Sequence, residues 1–286
     1  MCIGIVGKYL AIGDYNLADS YVSIYQALVH AGAELGIGIS IEWIDAQAVE
    51  RGEQQVATLQ QCSGVIIPGG FGNTGVEGKI KAIEFVRSNK IPFLGICYGM
   101  QLAAVEFARN VCGMQDAHTT EVDPKTSHPI IDILPLQKQL LAQQAVGGSM
   151  RLGAYKATVK KGSKVARLYD RAGLFTESDQ TISERHRHRY EVNPKFIPEL
   201  ESKGLQFSGH YQREDGTKLM EFLELSEHPF FVATQAHPEF TSRLGNANPL
   251  FLGLVEASKE YAASKSVFSH AKKKNVSEIQ KSLKTS

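Results

Sequence analysis

The sequence has no uninterrupted apolar run approaching the roughly 18 residues that a membrane-spanning helix requires. Its opening, MCIGIVGKYL, lacks the basic start and the long apolar stretch of a secretory signal. It also has no excess charge of either sign, because 31 Lys and Arg residues against 30 Asp and Glu residues leave a formal net charge of +1. No overall field therefore attracts nucleic acid or an acidic membrane surface, and we expect a small-molecule substrate.

Cysteine is scarce as well. The chain has only Cys2, Cys62, Cys97 and Cys112, with no C-x-x-C pair. This is too few for a disulfide scaffold in 286 residues, and it favours the reducing cytoplasm as the setting. Free cysteine is among the most buried residue types, so three of the four are expected to be structural core residues. Cys97 is the exception, for reasons given below.

Short apolar strands alternate with amphipathic helices over the first 110 residues. The predicted strands are Cys2–Val6, Ile37–Ile44, Gly64–Pro68 and Ile91–Ile96. The predicted helices start near Asp19, at Gly78 and at Gly99, and a Gln-rich stretch after Ile44 has room for one more. This alternation predicts an α/β fold with a mostly parallel sheet and helices on both faces.

Beyond Asp116 the segments become shorter and are punctuated by turns. HPIIDILP, MRLGAYKATV, RYEVNP and KLMEFLEL are predicted to be antiparallel additions on one edge of the sheet. A last apolar strand, Phe230–Thr234, precedes QAHPEF and a helix over Leu250–Ala263. We therefore predict one domain over residues 1–263. Residues 264–286 are rich in Lys and Ser with little periodicity, which predicts a basic, disordered tail.

The segment from Gly95 to Gly99 reads GICYG and lies between a predicted strand and a predicted helix. G-x-C-x-G is the nucleophile-elbow pattern with cysteine in place of serine. The glycines allow a sharp turn, and the N-terminus of the following helix favours a thiolate at Cys97. The motif predicts a nucleophilic cysteine.

A cysteine nucleophile needs a base, and the base needs a group that orients it. His237 and Glu239 of the HPE triplet supply both residue types. In an extended segment residues i and i+2 face the same way, so the two side chains are expected on one face, with Pro238 stiffening the backbone between them. The triplet gains weight because it follows an apolar strand that could lie beside the one carrying Cys97.

A glycine-rich turn, PGGFG from Pro68 to Gly72, follows the GVII strand. Such a turn brings backbone N–H groups close to a ligand. One of these donors, together with the N–H of Tyr98, would form an oxyanion hole. The alternatives are a tight loop without a ligand and, less well supported because no GK[ST] follows, a phosphate cradle.

Together PGGFG, GICYGMQ and QAHPEF resemble the class I, triad-type glutamine amidotransferases. Four further segments, SHP at 127–129, GSMRLG at 148–153, ERHRHRYEVN at 184–193 and EHPFF at 227–231, resemble the C-terminal amidotransferase domain of CTP synthases. The resemblance extends from about Gly4 to Tyr261, and ERHRHRYEVN is more specific than any of the triad motifs.

This resemblance implies a flavodoxin-like α/β fold and hydrolysis of L-glutamine to glutamate and ammonia through a thioester on Cys97. In the family the ammonia passes to a synthetase domain that aminates ATP-activated UTP, with ATP and Mg²⁺ bound there and GTP as an activator. That synthetase domain is absent from these 286 residues. We therefore expect no cofactor in this domain and no CTP from this chain alone.

The resemblance also implies the glutamine-binding residues. Those expected to contact the substrate are Gly70, Tyr98, Gly99, Met100 and Gln101. Glu121 and Arg189 would hold its ammonium and carboxylate groups, respectively. Two positions depart from the family: Tyr98 stands where Leu is usual, and Ala236 stands where an aromatic residue is usual. The walls of the glutamine pocket or the ammonia exit are therefore expected to differ.

Other functions are weighed against this one. A stand-alone γ-glutamyl hydrolase could use the same triad, and a non-catalytic assembly or regulatory module could keep the fold. The RHRHR run could bind nucleic acid, or a metal through His186 and His188, but no third ligand is visible at a defined spacing. We expect neither a metal nor nucleic acid.

Overall fold

The computed structural model describes residues 1–8, 11–12, 15–16, 18–134, 150–175 and 180–265, and for 11–12, 15–16 and 18–19 it describes the backbone alone. The strands are β1 (Cys2–Gly7), β2 (Ala11–Ile12), β3 (Tyr15–Asn16), β4 (Ser40–Asp45), β5 (Gly64–Ile67), β6 (Phe93–Ile96), β7 (His118–Thr119), β8 (Pro129–Asp132), β9 (Arg151–Val159), β10 (Thr181–His188), β11 (Glu191–Val192), β12 (Leu205–Gln212), β13 (Lys218–Leu225) and β14 (Phe231–Thr234). The helices are α1 (Val22–Glu34), α2 (Ala46–Arg51), α3 (Val76–Ser88), α4 (Tyr98–Asn110), α5 (Lys164–Arg171), α6 (Ile197–Ser202) and α7 (249–265).

A nine-stranded sheet in the order β4-β1-β5-β6-β14-β13-β12-β9-β10 forms the centre of the fold. The strands from β4 to β14 pair in parallel. The strands from β14 to β10 pair antiparallel. A parallel pair needs a crossover connection, which explains why helices separate the strands in the first half of the chain. The predicted α/β fold with antiparallel additions is confirmed.

Apolar side chains cover both faces of this sheet. Alternate residues of a strand point to opposite faces, so Ile67 packs toward α2, α3 and α4, whereas its neighbour Ile66 packs toward α1, α5 and α7. The same alternation holds for Phe93 and Leu94 in β6. Burial on both faces is the reason that these strands read as continuous apolar runs. Among the described residues, no helix combines the length and the hydropathy needed to cross a membrane.

Two of the segments expected on the antiparallel edge lie elsewhere. HPIIDILP supplies β8 and RYEVNP supplies β11, and with β7 these strands form a separate three-stranded sheet. The predicted position of both segments is therefore wrong. The strands are only two to four residues long, and Ile130, Ile131 and Val192 join the apolar layer beside α4 instead of extending the main sheet.

The ends of several elements also differ from the prediction. The expected Ile37–Ile44 strand begins only at Ser40, because the Ile37 N–H donates to the Gly32 carbonyl and closes α1. The Gln-rich stretch forms the short helix α2 and a 3₁₀ turn over Val56–Gln61. Of the predicted tail, residues 264–265 continue α7, and the remainder lies outside the described residues.

Candidate active site

Cys97 occupies the turn between β6 and α4. Its backbone has φ +51° and ψ −102°, a region that non-glycine residues rarely adopt. The Cys97 N–H donates to the Thr234 carbonyl at 2.7 Å, and the Cys97 carbonyl accepts from the Met100 N–H at 3.0 Å. The turn is therefore fixed to β14 on one side and to the first turn of α4 on the other. Strain of this kind costs about 1–3 kcal/mol and is characteristic of functional sites.

The glycines of the G-x-C-x-G motif are required by close packing. A Cβ on Gly99 would lie 2.1 Å from the Ile67 carbonyl oxygen. A Cβ on Gly95 would lie 2.8 Å from the Ala233 Cβ. Helix α4 can start directly against β5 and β6 only because both positions lack a side chain, and this places Cys97 at the carboxyl end of the parallel strands.

His237 and Glu239 follow β14, the strand that pairs with the one before Cys97. The His237 Nδ1 lies 2.7 Å from the Glu239 Oε1. The extended HPE segment that we predicted is wrong in its backbone, because Pro238–Phe240 forms a 3₁₀ turn. A proline at the first position of such a turn has the φ that the turn needs, and Glu239 still reaches the ring.

His237 also interacts with Cys97. Burial alone lowers the pKa of His237, but the Cys97 sulfur and the Glu239 carboxylate outweigh burial and raise this pKa to about 10. Gly69 lies against both residues, since a Cβ there would be 2.9 Å from His237 Cε1 and 3.5 Å from Cys97 Cβ. At neutral pH the geometry therefore supports an imidazolium between a sulfur nucleophile and a carboxylate.

Two buried lysines lie beneath the glycine-rich turn. Lys79 is fully buried, and its Nζ donates to the Pro68 carbonyl at 3.2 Å. Burial and the charge of Lys8 lower the pKa of Lys79 to about 7, against an opposing effect of Cys97. Both ammonium groups lie within 6 Å of the Tyr98 ring, at 5.7 Å for Lys8 and 5.6 Å for Lys79. This end of the sheet is thus electropositive, which suits a thiolate and a developing oxyanion.

A cavity of about 270 Å³ opens onto Cys97 and His237. It is close to the lower end of the range typical of small-molecule sites, about 300–1,000 Å³. Its lining comprises Ser20, Tyr21, Ser23, Ile24, Pro68, Gly69, Gly70, Phe71, Cys97, Arg187, His237, Glu239 and Phe240.

Of the residues expected to contact glutamine, Gly70 lines this cavity. Tyr98 is buried, and its hydroxyl donates to the Gly72 carbonyl at 2.9 Å, so the phenol supports the glycine-rich turn. Gly99 packs on the Ile67 carbonyl, and Met100 lies in the apolar layer. The structure therefore buries these three residues, and of them Tyr98 supports the turn through its hydroxyl, while Gly99 and Met100 pack against the sheet and in the apolar layer.

Glu121 contacts the glycine-rich turn, and Arg189 lies near Tyr190. The Glu121 Oε1 accepts from the Gly72 N–H at 2.7 Å. Arg189 follows β10 directly, and its charge and that of Glu121 both act on the Tyr190 phenol. Burial, and then Glu121, raise the pKa of Tyr190. One anionic and one cationic side chain therefore lie close enough to Tyr190 to act on its pKa, in opposite directions.

Gln235, beside the nucleophile, was missed from the sequence, and Lys79 was left open between a ligand contact and a charged first helical turn. The Gln235 Nε2 lies 3.7 Å from the Cys97 sulfur, and its Oε1 accepts from the Gln101 amide at 3.2 Å. Only its position two residues before His237 could have indicated this. Lys79 could not be separated from an ordinary charged first helical turn. The sequence feature that could have indicated its burial is its spacing, because Lys79 follows Val76 by three residues and so falls on the buried face of α3.

His186 and His188 share the buried face of β10, as expected of alternate residues in a strand. Within the described ranges, no group of three or more His, Cys, Asp or Glu residues is arranged to hold a metal.

Comparison with known families and proteins identifies relatives of this chain. The model of the family described as glutamine amidotransferase class-I matches residues 16–257. A CTP synthase from Methanopyrus kandleri is 49% identical over 256 residues, which are 89% of this chain and 44% of that protein. A CTP synthase from Pyrococcus furiosus is 49% identical over 265 residues, covering 93% of this chain and 46% of that protein. The chain thus spans a little under half the length of these relatives.

Solved structures give the same result. The glutaminase domain of Trypanosoma brucei CTPS with bound acivicin is 33% identical, with a TM-score of 0.80, and the match covers 91% of this chain and 94% of that one. PurLQS from Thermotoga maritima is 12% identical with a TM-score of 0.50, and it supports the fold alone.

Proposed function

Because the chain belongs to the class I glutamine amidotransferases and, within them, to the glutaminase domains of the CTP synthase type, we propose that it hydrolyses L-glutamine to glutamate and ammonia. The observation that carries the proposal is the position of His237, which lies beside Cys97 and has its Nδ1 2.7 Å from the Glu239 Oε1, so that both partners raise its pKa. A nucleophile, a base and an orienting carboxylate are the three parts that covalent amide hydrolysis needs.

The reaction follows from this arrangement. The Cys97 thiolate attacks the side-chain amide carbon of glutamine, and the negative oxygen that forms is stabilised by the Tyr98 N–H at the start of α4 and by an N–H of the glycine-rich turn. The His237 imidazolium gives its proton to the amide nitrogen, the C–N bond breaks, and ammonia leaves. Neutral His237 then takes a proton from water, and the resulting hydroxide attacks the thioester. Glutamate leaves, and the thiolate and the imidazolium are restored.

We assign the amino-acid head group of glutamine to Glu121 and Arg189. A carboxylate suits its ammonium, and a guanidinium suits its carboxylate. The pairing of Glu121 with the Gly72 N–H supports this assignment, because it ties the head-group side of the pocket to the turn beside the nucleophile.

The ammonia needs an acceptor, and we propose a CTP synthase type of synthetase as the partner. The support is the set of CTP synthase relatives, of which this chain matches 44–46%. Amination of UTP, the use of ATP and Mg²⁺ by that synthetase, and activation by GTP are proposals on the same basis. The cysteine pattern supports a cytoplasmic setting for this exchange.

A γ-glutamyl hydrolase and a non-catalytic module remain the competing functions, and the relatives favour the amidotransferase over both. Ammonia release from free glutamine and from a γ-glutamyl peptide, compared at equal concentrations with Cys97→Ala as control, separates the three. We expect release from glutamine that Cys97→Ala abolishes. Preference for the γ-glutamyl peptide would favour the hydrolase, and no release from either would favour the module.

A further inference from the structure

A buried cluster of charged and polar side chains lies behind the catalytic cysteine, and the reaction above does not use it. Arg151 is held over the rings of Tyr155 and Tyr211, with 4.5 Å and 5.1 Å to the ring centroids. Its Nη2 lies 2.7 Å from the Glu221 Oε1, and its Nη1 lies 3.4 Å from the Glu191 Oε1. The cluster therefore joins β9, β11, β12 and β13.

The charges of this cluster do not balance. Glu191 and Glu221 are both buried, yet they share one guanidinium. An uncompensated buried charge is costly, so one carboxylate is expected to hold a proton. Burial is the main cause that raises the pKa of both carboxyl groups, with Arg151 opposing the rise at each. The pKa directions alone leave open which of the two carries the proton.

Hydrogen-bond polarity at the two histidines decides between them. Burial lowers the pKa of His186 and of His188, so both rings are neutral and each carries one N–H. The His188 Nδ1 lies 3.1 Å from the Tyr190 carbonyl oxygen, which can only accept, so the proton of His188 is on Nδ1. Its Nε2 must then accept from the His186 Nδ1, which is 3.0 Å away.

The proton of His186 is consequently on Nδ1, and its Nε2 is a bare acceptor. This nitrogen lies 3.3 Å from the Glu221 Oε2, a buried oxygen that has no hydrogen-bond partner among the described residues. Two acceptors at that distance repel unless the carboxyl group supplies the proton, so we place it on Glu221. The opposite order, with the proton on Glu191, would turn the bare Nδ1 of His188 toward the Tyr190 carbonyl at 3.1 Å, and the Glu191 Oε1, at 3.6 Å, is too distant for a good compensating hydrogen bond.

The Tyr190 carbonyl connects this series of hydrogen bonds to the nucleophile. The Tyr190 carbonyl also accepts from the Gln101 Nε2 at 3.0 Å. The same Gln101 amide donates to the Gln235 Oε1, and the Gln235 Nε2 lies 3.7 Å from the Cys97 sulfur. Both glutamine side chains are buried, so they have little freedom to find other partners.

We propose that Glu221, His186 and His188 are positioning residues, which form a one-directional chain of hydrogen bonds from a protonated Glu221 to the Tyr190 carbonyl. Through that carbonyl the chain fixes Gln101 and Gln235, and hence the amide that faces the Cys97 sulfur. The effect on catalysis rests on the glutaminase function proposed above. The groups that face the chain are Arg151, Tyr155, Glu191 and Tyr211, and the charges of Arg213 and His237 act on it from farther away.

The direction of the chain can be measured in the unaltered protein. Long-range ¹H–¹⁵N correlation of the ring nitrogens reports which nitrogen of each histidine carries the proton, with His186→Gln and His188→Gln used only to assign the signals. We expect the Nδ1–H tautomer for both rings at pH 6.5. The Nε2–H tautomer for either ring would overturn the proposed direction of the hydrogen bonds, and it would do so whether or not the protein hydrolyses glutamine.

The positioning role is tested by two matched variants. Glu221→Gln places an amide donor opposite the His186 Nε2 and leaves Glu191 to balance Arg151, so it should keep both tautomers and stay within about threefold of the unaltered kcat. Glu191→Gln leaves Glu221 as the only counter-ion, ionised and unable to donate. It should turn both rings to Nε2–H and lower kcat about 10- to 100-fold, with a smaller effect on KM, because the disturbed group faces the sulfur rather than the head group.

Thermal unfolding of both variants separates positioning from folding. Loss of kcat in Glu191→Gln at an unchanged Tm supports positioning. Equal activity in the two variants, or a larger loss in Glu221→Gln, contradicts it. If the unaltered protein releases no ammonia, the proposed function fails first, and the tautomers still decide the direction of the chain.

Discussion

The Glu239 carboxylate and the Cys97 sulfur are the two groups that raise the pKa of His237 to about 10. This raised pKa has a consequence for stability. A histidine with a usual pKa near 6.5 that is raised on folding contributes stability in full below about pH 6.5, and the contribution is lost as the pH rises toward 10. The same window governs the imidazolium that protonates the leaving group.

Glu239→Gln should therefore move the alkaline limb of kcat/KM to lower pH. The amide keeps the shape of the side chain but removes one of the two charges that favour the imidazolium. We expect at least about a tenfold loss of kcat at pH 8, a smaller loss at pH 6.5, and a flatter dependence of the unfolding free energy on pH between 6.5 and 10. Ammonia release and denaturant unfolding across that range measure both. An alkaline limb that stays in place would contradict the assigned role of Glu239.

Replacing Lys79 should increase the stability of the protein and decrease its activity. Its pKa is lowered to about 7 by burial, so the charged form is destabilising in the folded state at lower pH. Lys79→Met should raise the unfolding free energy by about 1–3 kcal/mol at pH 6 and by less near pH 10. It should also lower kcat, because the Pro68 carbonyl loses a donor and the thiolate loses a nearby cation. Lys81→Met, at an exposed position on the same helix, is the matched control and should change neither quantity. A destabilised but fully active Lys79→Met protein would contradict this.

The elbow between β6 and α4 is the element on which the site depends. Gly99→Ala would place a Cβ 2.1 Å from a backbone oxygen, which cannot move aside as a flexible side chain could. We expect a loss of more than about 3 kcal/mol in the free energy of unfolding, together with loss of activity. Gly38→Ala is the control, because a Cβ at Gly38 meets nothing within 4 Å. Chemical denaturation measures the stability of both variants, and equal stability of Gly99→Ala and Gly38→Ala would contradict the close packing at Gly99.

How far the sequence predicts an element depends on how local the determining contacts are. The elbow was predictable, because its glycines and its cysteine are adjacent in the chain. The 3₁₀ turn over Pro238–Phe240 was not, because a two-residue spacing is compatible with more than one backbone. The small sheet of β7, β8 and β11 was not predictable either, since β8 and β11 pair across about 60 residues and all three strands are too short to carry a pattern.

Long-range contacts also hide parts of the site. The cluster around Arg151, together with the two histidines, draws on all the strands from β9 to β13, and only the folded chain brings Glu221 to His186. In the sequence the two histidines belong to a run that was weighed for nucleic-acid or metal binding, and nothing sets Arg151, Glu191 or Glu221 apart. The contact between Gln235 and Cys97 could not be predicted either, because the two residues are 138 positions apart in the sequence.

At the scale of the whole molecule, the order of the strands assembles the triad. β14 pairs in parallel with β6, so the two carboxyl ends carry His237 and Cys97 to the same edge of the sheet, and β5 beside β6 adds the glycine-rich turn. Ligands of open α/β sheets bind at this edge. The antiparallel strands on the other side contribute the residues that support the site from behind.

The central claim is that this chain by itself assembles a pocket that presents Cys97 to glutamine. Intact-protein mass spectrometry after exposure to acivicin, the compound bound in the Trypanosoma brucei glutaminase domain, tests it directly. We expect one adduct that maps to Cys97, is suppressed by excess glutamine and is absent from Cys97→Ala. An adduct spread over Cys2, Cys62 and Cys112, or no adduct while iodoacetamide still labels Cys97, would contradict the claim.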